Sequence, residues 1–125
     1  MVHPETSVSP PKGKLGILIV GINGAVATTF MGGVSAVRKG IAKPIGSLTQ
    51  LGTIRLGKRT ENRFPLIHDF VPLSNLKDLV FGGWDIRNEN PYQGAVRANV
   101  LDQNHLFSIR FFSSALEPAG PPVQI

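Results

Sequence analysis

A chain of 125 residues, 42% of them apolar, can bury a single core, so it reads as one domain or part of one. The lack of cysteine excludes disulfides and thiolate chemistry, and the three histidines, His3, His68 and His105, stand too far apart for paired metal ligation, so no metal site is expected. Thirteen Lys and Arg against eight Asp and Glu give +5, concentrated at Arg55, Lys58, Arg59 and Arg63 without zinc-finger spacing, an RRM-like aromatic strand or a helix-turn-helix pattern; this reads as a solvated basic loop, or one facing a phosphorylated small molecule, before a nucleic-acid surface.

Residues 1–13 carry prolines and serines and no apolar stretch, which fits a disordered leader rather than a secretory signal and points to the cytoplasm. No apolar run reaches the roughly 18 residues of a membrane span, so no membrane partner is expected. Leu15 to Val20 is a continuous Ile/Val-rich run between Gly13 and Gly21, the pattern of a strand covered on both faces. The period then changes: Val26, Phe30, Val34, Val37 and Ile41 share one face of a helix. Arg38 and Lys39 suit its last turn, Gly40 a left-handed cap, and Pro44 prevents continuation. Gly32 and Gly33 cost about 1 kcal/mol each within a helix, which implies close packing or a poorly optimised segment.

Ile45 to Leu56 reads as a strand with irregular ends, and Lys58 to Leu76, with Pro65 and Pro72, as a surface excursion. A second buried strand is expected at Leu79 to Phe81, followed by Gly82, Gly83, Trp84 and Asp85. Asn90 and Pro91 mark a helix start, with Tyr92, Val96 and Val100 on one face. The order β, α, β, loop, β, α predicts an α/β fold: a partial, truncated, Rossmann-like doubly wound parallel sheet.

The chemistry concentrates where the first strand meets the first helix, at Gly21, Ile22, Asn23, Gly24, Ala25, Val26 and Ala27. Small residues there permit a tight turn, and the unpaired N–H groups of a helix start can donate to a pyrophosphate. Asn23 replaces the second glycine of the usual dinucleotide fingerprint, and the spacing to Ala27 is one residue longer. No acid occurs between Gly24 and Glu61, so Asp85, at the end of a neighbouring strand, is the candidate for the adenosine ribose; it reads equally as a turn acid capping the loop around Asn88. Ser47, Thr49 and Thr53 could line the crevice or satisfy local backbone. Lys12, Lys14, Lys39, Lys43, Lys58 and Lys77 read as solvated, and His68 beside Asp69 is declined as a general base because neighbours in an extended chain point to opposite sides.

GINGAVATTF, PIGSLTQLGTIRLG and the GGWDI of Gly82 to Ile86, in that order and spacing, closely resemble the myo-inositol-1-phosphate synthase (inositol-3-phosphate synthase) family over about Lys14 to Gln103. The resemblance implies that Gly21, Ile22, Asn23, Gly24, Ala25 and Val26 hold the NAD pyrophosphate and that Asp85 binds the adenosine ribose. It further implies conversion of glucose 6-phosphate to inositol phosphate by a complete, homo-oligomeric enzyme. There NAD oxidises the sugar, the ketone permits enolisation and aldol closure, and NADH reduces the product.

Family members are several times longer, with catalytic lysines beyond this chain, so no catalytic residue is assigned and the chain is expected to be incomplete alone. Residues 14–103 are taken as the cofactor-binding part. Residues 104–125 are taken as a divergent or irregular tail in which Phe107, Ile109 and Phe111 alternate like a strand. Arg55, Lys58 and Arg59 could favour NADP, whereas Asp85 favours NAD. Two alternatives stand beside this reading: a truncated non-catalytic product, and a basic nucleic-acid-binding module.

Overall fold

A computed structural model describes residues 9–113, with side chains to Arg110; most of the expected leader and the end of the expected tail lie outside the described residues. The elements run β1 (Leu15–Val20), α1 (Ala25–Arg38), α2 (Leu48–Leu51), α3 (Ile67–Phe70), β2 (Leu79–Trp84), α4 (Pro91–Ala98) and α5 (Gln103–Ser113), with 3-10 turns at Arg59–Glu61 and Leu76–Asp78. The fold is α/β. Strands β1 and β2 pair in parallel, Leu15 opposite Leu79 through Val20 opposite Trp84, so both strands end at the same edge of the sheet. That shared end brings the residues after Val20 beside those after Trp84. Among the described residues, no helix is long and apolar enough to cross a membrane.

The core joins Ile22, Met31, Val34, Leu79, Phe81, Ala95 and Ile109, with Ile17, Ile19, Tyr92 and Leu101 packed at its margin. Met31 and Ile109 are fully buried, each worth about 1.5–3 kcal/mol in apolar transfer. Phe30 meets Phe81 edge to face at 5.4 Å. The Arg38 guanidinium ties the end of α1 to the start of β2, donating to the carbonyls of Leu76 (2.8 and 2.6 Å) and Leu79. Burial lowers its pKa, against the opposing pull of Asp78.

Several expectations meet corrections. β1 is covered on one face only: Ile17 and Ile19 flank the core, whereas Leu18 and Val20 stand exposed, because the described helices pack into a single layer of core. The stretch Ile45 to Leu56 is not a strand. Its middle is the helical turn α2, and Thr53 and Leu56 instead bridge antiparallel to Leu66 and Arg63. Left-handed Gly57 and Asn62 permit this local return, so short-range pairing replaces a third parallel strand.

Helix α1 turns a different face inward from the one its large apolar residues suggest. Ala27, Thr28, Met31, Val34 and Ser35 are buried, while Val26 is 85% exposed. Small side chains win because α5 and the loop before it approach closely: a Cβ on Gly32 would lie 2.8 Å from Leu101 Cδ1. In α4 likewise, Pro91, Gly94 and Ala95 are buried, while Val96, and Val100 just past the helix end, are exposed. Residues Gln103–Ser113 form helix α5, not an alternating strand. Asp102 caps its first turn by accepting from the His105 amide at 2.9 Å, and Ile109 is buried against α1 instead of alternating across a sheet.

Two helix ends match their sequence signals. At the end of α1, Ile41 N donates to Ala36 O (2.9 Å) and Gly40 N to Val37 O (3.0 Å) around a left-handed Gly40, a Schellman motif. At the start of α4, Asn90 and Gln93 form a reciprocal capping box, both bonds 2.9 Å, with Pro91 in the first turn.

Candidate cofactor site

The turn between β1 and α1 satisfies its own first amides. Gly21 N and Ile22 N both donate to Trp84 O (2.7 and 3.2 Å), and Gly24 N returns to Gly21 O (3.0 Å). Asn23 N reaches across to Asp85 Oδ2 at 2.9 Å. The open donors therefore begin at Ala25, Val26 and Ala27: leading amides of a helix have no intrahelical acceptor, and Gly24 supplies no side-chain cap. Fourteen residues of α1 direct their positive dipole end to this point.

Glycine is required here for identifiable reasons. Gly21 has φ +82°, with open space where a side chain would stand. A Cβ on Gly24 would sit 3.1 Å from Gly21 O, tightening the turn. At Gly83, on β2, a Cβ would run into the backbone of Ile19, so the two strands approach as closely as they do only because the GGWDI segment lacks a side chain there. Above the turn lies an open cleft of about 500 Å³, bordered by Ile19, Gly21, Gly24, Ala25, Val26 and Phe30.

All seven residues assigned to the site from sequence, Gly21 to Val26 and Asp85, gather at this strand edge. Asp85 is half-buried, and its Oδ1 also accepts Arg87 N at 3.0 Å, so it caps its own loop while it meets the glycine turn. Each carboxylate oxygen keeps acceptor capacity beyond its one amide. Asn23 is 3% exposed; its Nδ2 donates to Glu89 O, while its buried Oδ1 has no partner among the described residues. Open amides, the unfilled space over Gly21, the adjacent carboxylate and this unpaired oxygen fit a ligand with an anionic centre and hydroxyl groups, as a dinucleotide has.

Three participants carried no sequence signal. Arg97, on α4, donates through Nη2 to Asn23 O (3.1 Å) and through Nε and Nη2 to Glu89 Oε1 (2.9 and 2.6 Å). The bond to Glu89 holds the guanidinium above its ordinary pKa range, with Asp85 adding to the effect. Gly94 lets α4 rest directly on Asn23. The available hint was spacing alone: once Asn90 starts the helix, Gly94 and Arg97 are three apart and share a face.

Other candidates fall elsewhere. Ser47 borders a separate cleft of about 380 Å³ near Phe30, Lys43 and Gln50, and bonds Thr49 at 3.2 Å. Thr53 serves the antiparallel bridge to Leu66. Arg55, Lys58 and Arg59 border neither cleft. His68 and Asp69 lie in the helical turn α3, not in extended chain, and the buried His68 Nδ1 has no partner among the described residues.

A family model described as myo-inositol-1-phosphate synthase, an NAD-binding model, matches residues 15–119. The chain belongs to this synthase family. It is 49% identical over 114 residues to inositol-3-phosphate synthase 1 of Bacteroides thetaiotaomicron, covering 91% of this chain and 26% of that protein. It is 37% identical over 127 residues to inositol-3-phosphate synthase 1 of rice, covering 93% and 25%. The crystal structure of inositol-3-phosphate synthase from Caenorhabditis elegans superposes with TM-score 0.76 at 28% identity, over 94% of this chain and 25% of that one. The chain thus spans about a quarter of the length of these synthases, in their NAD-binding region. Membership in a cofactor-binding family sets aside the basic nucleic-acid module.

Proposed function

We propose that this chain is the NAD cradle of an inositol-3-phosphate synthase. The observation that carries the reading is the open amide row of Ala25, Val26 and Ala27 beside the Asp85 carboxylate, at the shared end of two parallel strands. The amides receive the pyrophosphate, where anion, dipole and N–H donors agree in sign. Asp85, already oriented by Asn23 N and Arg87 N, accepts from the ribose hydroxyls through its remaining lone pairs. Its negative charge disfavours a 2′-phosphate, which selects NAD over NADP.

When bound, the nicotinamide supplies reversible hydride transfer for the conversion of glucose 6-phosphate to inositol phosphate. This chain's part is to hold and orient; side chains that contact the sugar are assigned to the remaining length of the synthase.

Titration of the full chain with NAD and NADP tests the reading, with fluorescence of the single tryptophan, Trp84, as the local probe. Saturable binding of NAD, tighter than of NADP, is expected. Asp85→Asn should weaken NAD by about one to two orders of magnitude, the scale of hydrogen bonds to a charged group, and should narrow the gap to NADP. Absence of saturable NAD binding at millimolar concentration, or an Asp85→Asn protein that binds as well as the parent, would refute it.

A further inference from the structure

We propose that Arg97 is a positioning residue for the cofactor cradle: from α4 it holds the Asn23 carbonyl and Glu89 together, so that the Asn23 amide is committed to Asp85 while the amides of Ala25, Val26 and Ala27 stay open. The inference rests on the NAD reading above and extends it to a side chain that itself touches no cofactor.

The Asn23 carbonyl lies at the back of the turn in a residue almost wholly buried, and a buried carbonyl requires a donor. Arg97 Nη2 supplies one at 3.1 Å. The guanidinium plane is fixed because Nε and Nη2 converge on the same oxygen of Glu89, at 2.9 and 2.6 Å. Glu89 closes the ring from its main chain by accepting Asn23 Nδ2. Asn23 is therefore held at two points, its carbonyl by α4 and its own side chain by the loop after β2.

Release of the carbonyl would let the Asn23–Gly24 peptide turn, carrying Gly24 N away from Gly21 O (3.0 Å), realigning the first turn of α1 and loosening the residue whose own amide is bonded to Asp85. A planar fork can serve Glu89 and Asn23 at once, whereas an ammonium on a flexible stem holds them less rigidly. Lysine should therefore restore part of the function and methionine none.

Two measurements on the full chain separate positioning from general stability: amide hydrogen exchange at Asn23 and Ile41 in the free protein, and NAD titration. Ile41 N reports the α1 C-terminal cap, at the far end of the helix. Arg97→Met should accelerate Asn23 exchange and weaken NAD by about tenfold, the scale on which outer-shell partners act, with Ile41 unchanged and Arg97→Lys between. Parent-like exchange at Asn23, parent-like NAD affinity, or equal acceleration at Asn23 and Ile41 would each overturn the proposal. If Arg97→Met does not fold, Glu89→Gln, which loosens the same fork without changing its size, must show the same selective pattern at Asn23 or the proposal fails. A parent chain that binds no NAD would instead defeat the cofactor reading, with Asn23 exchange still reporting whether Arg97 holds the turn.

Discussion

Gly94→Ala reads out how tightly α4 backs the cofactor turn. A Cβ at this position would lie 2.5 Å from Asn23 O, 3.0 Å from Asn23 Cβ and 3.1 Å from Asn23 C. Ordinary contact begins near 3.4 Å, so the helix must retreat by about 0.9 Å at its closest point, and the obstacles are mostly backbone that cannot swing aside. Overpacking of this kind costs about 1–3 kcal/mol. Alanine is favoured over glycine in a helix interior by about 1 kcal/mol, which offsets part of that cost.

The net prediction is destabilisation of up to about 2 kcal/mol, with the melting temperature falling roughly 3–6 °C per kcal/mol for a domain of this size. Retreat of α4 also lengthens the Arg97 to Asn23 bond, so NAD affinity should fall in parallel. Gly33→Ala is the control: nothing lies within 4 Å of its Cβ, and it should stabilise by about 0.5–1 kcal/mol. Thermal melts of both variants, with NAD titration of each, decide the matter. A Gly94→Ala protein stabilised as much as Gly33→Ala would refute the close contact between α4 and the turn.

Ile109→Ala should cost about 2–5 kcal/mol in denaturant unfolding, because Ile109 is fully buried; a loss under 1 kcal/mol would mean that α5 does not share the core. Asn90→Ala removes the capping box of α4 and should cost about 1 kcal/mol, checked by thermal melting. Asp102 is held below its ordinary pKa of 3.8 chiefly by the His105 amide and then by the His105 side chain. Its folded pKa is depressed, so its stabilising contribution is complete above the ordinary aspartate range and is lost as pH falls through the lower folded value. The stability gap between the parent and Asp102→Ala should accordingly shrink as unfolding is measured from pH 5 down to pH 2; a constant gap would contradict the assigned bonds.

Local chemistry made much of the chain legible. Gly40 and Pro44 announced the end of α1, and Asn90 with Pro91 the start of α4, because caps are decided by a few neighbouring residues. The glycine turn and Asp85 were visible as a motif because a tight turn at a strand end admits few side chains. The Ile, Leu and Thr content of residues 45–56 suits a strand, but the turn-forming Gly57 and Asn62 let Thr53 and Leu56 pair locally instead. Phe107, Ile109 and Phe111 alternate in sequence, yet the Asp102 cap and the buried Ile109 contact favour a helix over a strand with no partner.

By itself the sequence determined where backbone must bend and where helices can start and stop, since each depends on steric freedom or hydrogen bonding within a few residues. Tertiary structure alone decided which faces of α1 and α4 turn inward, because close approach at Gly32 and Gly94 outweighs the pull of larger apolar side chains nearby. It also decided that Glu89 and Arg97, 66 and 74 residues from Asn23 along the chain, brace the turn, since only the parallel pairing of β1 with β2 brings those groups within hydrogen-bonding distance.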